Sequence, residues 1–199
     1  MNINNNKALQ VLRVNSGATA LEYGTASSDF VLLATTDASS SSSISFDGYY
    51  SATYKNYKII ASGIRPATNN TGLNVRFRRS NADLTNGNYY MSAIRSSSNS
   101  GGSAASSNEN WQGTLADMVN GISSSDGNTN FDLNIYDPLS TNYHWINFFA
   151  NELNHTSDQF YCTHTMVTLR DSTAALSGIT FFMDSGNIAV GNFKLYGIK

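Results

Sequence analysis

Cysteine occurs once in this 199-residue chain, at Cys162. No internal disulfide can close, so the fold does not rest on oxidation. Charged residues are 13% of the chain, about half the usual share. The net charge of −2 leaves no long-range field to attract nucleic acid or anionic lipid. No apolar run reaches the roughly 18 residues that a membrane-spanning helix needs, so no membrane insertion is expected. The opening MNINNNKALQ lacks the apolar stretch of a secretion signal, and the chain is expected to fold in a reducing cytosol. Heptads are absent, and no internal repeat falls at the periods of solenoids or propellers.

Hydrophobic residues make up 40%, enough for a real core, and aromatic residues 12%, mostly Tyr and Phe. Proline is scarce, at two. Ser and Asn supply roughly a quarter of the chain, well above ordinary usage. Their side chains compete for helix hydrogen bonds and suit turns, whereas aromatic and β-branched residues fit pleated surfaces. This composition predicts an all-β protein.

The clearest strand is LNVRFRRS, where Leu73, Val75 and Phe77 alternate with Asn74, Arg76 and Arg78. That period of two marks a half-buried antiparallel strand. Phe131, Leu133 and Ile135 repeat the pattern, as do Ile179, Phe181 and Met183, and Ile44 with Phe46. Turn signals separate the runs, and Asp184-Ser185-Gly186-Asn187 reads as the turn of a closing hairpin. About eight to ten strands with frequent turns predict an antiparallel β-sandwich, jelly-roll-like by preference, with a closed barrel left open. TLADMVNGI fits a helical turn and a strand equally well. SSSNSGGSAASSNEN, Ser96 to Asn110, reads as a long exposed loop.

Chemistry is sparse. His144, His155 and His164 lack the spacing of zinc ligands, and no nucleophile elbow or P-loop is present. No catalytic residue, metal or cofactor is assigned, and no enzymatic activity is expected. Cys162 and His164 share a strand face, but a buried inert thiol is the favoured reading. DGNTNFD places oxygen ligands like a calcium loop but lacks the glycine and closing glutamate of that pattern, so a turn is expected. Arg76 and Arg78 share a predicted outward face, with Arg79 beside them and Arg95 expected on a neighbouring strand. They are candidates for an anionic ligand or a subunit interface. Tyr89 and Tyr90, among many tyrosines, are candidates for a sugar-binding or protein-binding surface.

Residues 1–28 read as an arm, and residues 29–199 as the body. In ALQVLRVNSGATALEYG the apolar residues Val11, Leu12, Val14, Leu21 and Tyr23 flank a turn-like SGAT. Alone in water such a segment buries too little to order itself. Fully extended it would reach roughly 80 Å, which suits an arm that adds a strand to a partner's sheet.

The stretch VLRVNSGATALEYGT is similar to a segment that recurs in virion proteins of tailed bacteriophages, especially fibre and appendage proteins. The stretch from Asp29 to Asp83 resembles β-sandwich domains of phage structural proteins, and the ending GNIAVGNFKLYGIK resembles their closing strands. The resemblance implies a structural virion protein without catalysis, made in the cytoplasm of a bacterial host and displayed on the virion surface. It implies a capsid decoration, head-fibre knob or small tail-fibre protein. Its partners would be capsid or tail proteins and copies of itself, a trimer being favoured. Recognition of host surface glycan is the alternative. A role in binding nucleic acid is not expected.

Overall fold

The computed structural model describes residues 10–25, 28–86, 88–98, 104–125, 128–154, 159–171 and 174–199. Every regular element among them is a strand. The N-terminal pair is β1 (Gln10–Val14) and β2 (Leu21–Thr25). β3 (Phe30–Ser41), β4 (Ile44–Asp47), β5 (Asn56–Pro66), β6 (Thr71–Arg79) and β7 (Ala82–Asp83) follow. Then come β8 (Tyr89–Ser98), β9 (Ala104–Gly113), β10 (Ala116–Ile122) and β11 (Thr129–Tyr136). The chain ends with β12 (His144–Asn154), β13 (Gln159–Leu169), β14 (Gly178–Met183) and β15 (Ile188–Ile198).

β1 and β2 form a sheet of their own. The other 13 strands form one antiparallel sheet that curls until it is nearly barrel-shaped. One run is β3-β15-β5-β11-β12, continued by β13, β8 and β9. The other is β10-β6-β14-β4, joined to the first where Ile122 of β10 meets Asn154 of β12. The two runs face each other. Phe181 on β14 lies 5.3 Å from Phe131 on β11 and 5.5 Å from Phe193 on β15. All three rings are buried.

Alternation places the core as expected. Leu73, Val75 and Phe77 are buried, as are Phe131, Leu133 and Ile135, and Ile179, Phe181 and Met183. Asn74 departs from it. Placed on the outward face by its neighbours' rhythm, it is fully buried, and its amide donates to Asp184. Asp184 also accepts from the Gly72 N–H at 3.1 Å. The carboxylate satisfies the donor side of this buried amide, while Asn74 Oδ1 has no hydrogen-bond partner among the described residues.

One open reading is decided and two expectations change. TLADMVNGI contains the strand β10, paired with β6. Ser96–Asn110 is not one long loop: β8 continues to Ser98, β9 resumes at Ala104, and the two pair from Tyr89↔Gly113 to Ser98↔Ala104. A ladder is built from backbone groups, and serine side chains do not prevent it. Asp184 to Asn187 is not a hairpin turn either. β14 pairs with β4 and β6, while β15 pairs with β3 and β5, so this turn crosses from one run to the other.

Two glycines serve this geometry. Gly63 has φ +64° inside β5, where the register against β11 slips by one residue, and its N–H donates to Asn130 at 2.9 Å. A left-handed residue at a bulge is the place for glycine. At Gly197, in the closing LYGI, a Cβ would stand 2.6 Å from the Tyr54 ring, so the ring packs on bare backbone.

Candidate functional site

The N-terminal segment, expected as an extended arm, folds back as a hairpin over residues 10–25. The turn is made by Asn15. Its side-chain oxygen accepts from the Thr19 N–H at 2.9 Å and the Ala20 N–H at 3.3 Å, and its own N–H donates to the Ala20 carbonyl at 2.9 Å. Ala18 takes the left-handed conformation within it, φ 54°. The expected hinge SGAT is thus the tip of a tight turn. Five-residue strands span only about 17 Å, far short of the reach of an extended chain.

Register sorts the hairpin's side chains. Leu12 is opposite Tyr23 and Val14 is opposite Leu21, so these four share one face. Arg13 is opposite Glu22 on the other face, with an ion pair of 3.1 Å. Val11 sits opposite Gly24, on the ion-pair face. The five arm residues named from sequence therefore divide four to one. The apolar four are 57–64% exposed. An isolated two-stranded hairpin is marginally stable in water. Covering this face would remove from water side chains worth roughly 1.5–3 kcal/mol each.

The arginine cluster is placed differently from the expectation. Arg78 is enclosed: its guanidinium pairs with Asp47 at 2.6 Å and with Asp83, and donates to Thr180 Oγ1 at 2.9 Å. Arg79 pairs with Asp171 at 3.3 Å and donates to the Ala174 carbonyl at 3.0 Å. Arg76 donates to the Thr114 carbonyl at 3.2 Å and lies over the Phe182 ring. Arg95 is on β8, which pairs with β13 and β9 and not with β6. Arg78 and Arg79 thus hold strands and loops together and present no open anion site. Sequence reads the alternation but not the carboxylates that other strands bring to it.

Tyr89 and Tyr90 also separate. Tyr89 is fully buried, its hydroxyl accepting from the Phe77 N–H at 2.8 Å and donating to the Leu84 carbonyl at 3.0 Å. Burial raises the pKa of this phenol above its usual value. Tyr89 is a core residue. Tyr90 points the other way, onto the outer face of the sheet, where Gln112 Nε2 donates to its hydroxyl at 3.0 Å.

That outer face carries a row of which the sequence offered Tyr90 as a candidate but not the arrangement. Tyr136, Trp145, Thr168, Tyr90 and Gln112 are successive cross-strand neighbours on β11, β12, β13, β8 and β9. Further along the same face stand Phe149, His164 and Ile94 in a second row, with Met166 between the two rows on β13. Phe149, Ile94 and Met166 are each more than half exposed. Cys162 is on this face too and is exposed, so the expectation of a buried thiol is corrected. The signal was present as Trp145 and Phe149 at even spacing on one strand. Which strands lie beside β12 was not readable.

His144 lies inside, buried, with Nε2 donating to the Ala174 carbonyl at 3.2 Å. Burial holds its imidazole below the ordinary 6.5, aided by the charge of Arg79 and opposed by the Ala174 hydrogen bond. The folded protein therefore takes up this proton at lower pH than the unfolded chain does. The stabilising contribution is full above pH 6.5 and is lost as pH falls through that value toward the folded-state pKa. The urea midpoint is expected to be flat near about pH 7 to 8 and to decline below pH 6.5. The decline should be smaller in His144→Gln, which keeps an amide donor. Equal slopes in the two proteins would show that His144 does not set this limb.

Among the described residues no three of His, Cys, Asp and Glu gather as metal ligands. His155 and residues 126–127 of the calcium-like stretch lie outside the described residues, and β11 begins at Thr129. No family model and no curated protein matches this chain.

Proposed function

We propose that this chain is a structural, non-enzymatic virion protein of a tailed bacteriophage. It is a short surface appendage, a capsid decoration, head-fibre knob or small tail-fibre protein, anchored by its N-terminal hairpin. The observation that carries the reading is the hairpin's exposed apolar face, Leu12, Val14, Leu21 and Tyr23, on a sheet that among the described residues is separate from that of the body. The body has its own core and does not draw on these residues. The curled sheet is read as a jelly-roll-like sandwich that projects from the particle. Capsid or tail proteins, or sister subunits in a trimer, cover the hairpin face on the virion surface. The resemblance of residues 11–25 to attachment segments of phage appendages supports the same reading.

The test is particle association. Leu12→Ser with Tyr23→Ser should weaken association by about 100-fold or more, as loss of two central anchors does. Both residues are exposed, so stability should change by less than about 1 kcal/mol. Full occupancy of particles by the double variant would remove the anchor role. Immunogold labelling of intact particles assigns head or tail.

A second reading, recognition of host surface glycan, is favoured by the aromatic row on the outer face. Trp145 and Tyr136 are each more than 40% exposed there.

A further inference from the structure

Among the arginines, Arg170 stands apart. It follows β13 directly, and its guanidinium carbon lies 4.7 Å from the centre of the Tyr90 ring and 5.5 Å from that of Tyr143. Arg78 and Arg79 are each matched by a carboxylate in the same part of the fold, and the neighbouring Asp171 is turned to Arg79. Arg170 is exposed and has no carboxylate within 4.0 Å among the described residues. Two tyrosine rings hold the guanidinium in place, and its in-plane N–H edge is the part suited to bidentate contact with a carboxylate.

Beside it runs a groove of about 710 Å³ whose lining includes Trp145, Thr168, Tyr90, Gln112 and Met166. Trp145 to Gln112 is three strand spacings, about 14 Å. Trp145 sits on β12, paired on both sides, so its indole is mounted on a rigid strand. Among the described residues the lining offers hydroxyls, an amide, thioethers and rings, and no carboxylate. Aromatic faces with neutral polar groups match a sugar, which has an apolar C–H face and a hydroxyl rim.

We propose that this groove binds an acidic saccharide, with the sugar's apolar face on Trp145 and its carboxylate on Arg170. The inference rests on the glycan reading and names its ligand class and its site. Chemically it asks one cation and one indole to act together: Trp145 supplies affinity for sugars in general, and Arg170 supplies the preference for the acid.

The probes are oligosaccharides containing glucuronic, galacturonic or N-acetylneuraminic acid, each paired with its carboxyl-reduced counterpart. Binding to the full-length protein is measured by calorimetric titration. At least one acidic member should bind, and its reduced counterpart should bind about 10-fold to 100-fold more weakly, as loss of a charge-assisted hydrogen bond predicts. Arg170→Gln should bind the two forms equally. Trp145→Ala should weaken both by about 30-fold, and Trp145→Phe, which keeps a ring, serves if the alanine variant is unstable. Equal binding of acidic and reduced forms by the natural protein would overturn the acidic assignment and leave the glycan reading standing. Binding that Trp145→Ala and Trp145→Phe leave untouched would overturn the site. Failure of every probe would overturn the assignment and the glycan reading together.

Discussion

Phe181→Ala is expected to lower the unfolding free energy by about 3–5 kcal/mol, the usual cost of truncating a buried phenylalanine. Phe181 is fully buried and touches rings from the opposite run of strands, Phe131 at 5.3 Å and Phe193 at 5.5 Å. Phe131 and Phe193 also meet, at 6.1 Å. The three form the contact through which β14 packs on β11 and β15, so a cavity there loosens the curl itself and not one strand. Neighbouring strands are held by ladders on both sides and cannot collapse freely into the void. The matched control is Phe149→Ala. That ring is on the outer face and more than half exposed, so its removal should cost less than about 1 kcal/mol. Urea unfolding of both variants decides the matter. Similar losses in the two would mean that Phe181 is not a keystone of the core.

The second large effect is expected at Arg78. Arg78→Met should destabilise by about 3 kcal/mol, because it strands carboxylates that are poorly hydrated. The Arg78 side chain is 17% exposed and that of Asp47 19%, so solvent screens this pair less than a surface one. Two of its partners come from distant parts of the chain, Asp47 at the end of β4 and Thr180 on β14, while Asp83 lies on the adjoining β7. Thr180 in turn donates to Asp83 at 2.9 Å. For Asp47, burial pushes its pKa upward, but hydrogen bonds from Arg78 and Ser177, with the charge of Arg78, hold it below the usual 3.8. The group stabilises the fold above pH 3.8 and loses that contribution as pH falls below it. Adding Asp47→Asn to Arg78→Met should cost less than the sum of the single changes, since the neutral amide relieves the stranded charge. Arg78→Lys should recover only part of the loss, because an ammonium cannot span three partners in a plane. An additive double variant would mean that the two groups do not act as a unit.

The sites were legible in unequal measure. Val11, Leu12, Val14, Leu21 and Tyr23 were recognisable as apolar residues in too short a segment. Their division between two faces required the turn, which Asn15 sets by accepting two backbone N–H groups. Arg76 and Arg78 alternate as expected, but the pattern was silent about the acids that meet Arg78. Tyr89 and Tyr90 are adjacent in sequence and opposite in fate, because neighbouring residues on a strand face opposite ways. The serine-rich stretch misled in its own direction: composition argued for a loop, and the backbone ladder of β8 and β9 prevailed over most of it.

Composition and period were enough to establish an all-β chain, the strand faces built on Leu73, Phe131 and Ile179, and a short apolar N-terminal segment. These are local properties, set by the pleat and by what each side chain does to its own backbone. Which strands become neighbours is not local. β5 lies between β15 and β11, and the turn after β14 crosses the core instead of closing a hairpin. Those choices come from packing Phe131, Phe181 and Phe193 together and from pairing Arg78 with acids on other strands. They also bring Trp145, Thr168 and Tyr90 into one row on the outer face and so create the groove there. A period of two says which side chains share a face. Only the folded sheet decides what stands next to them.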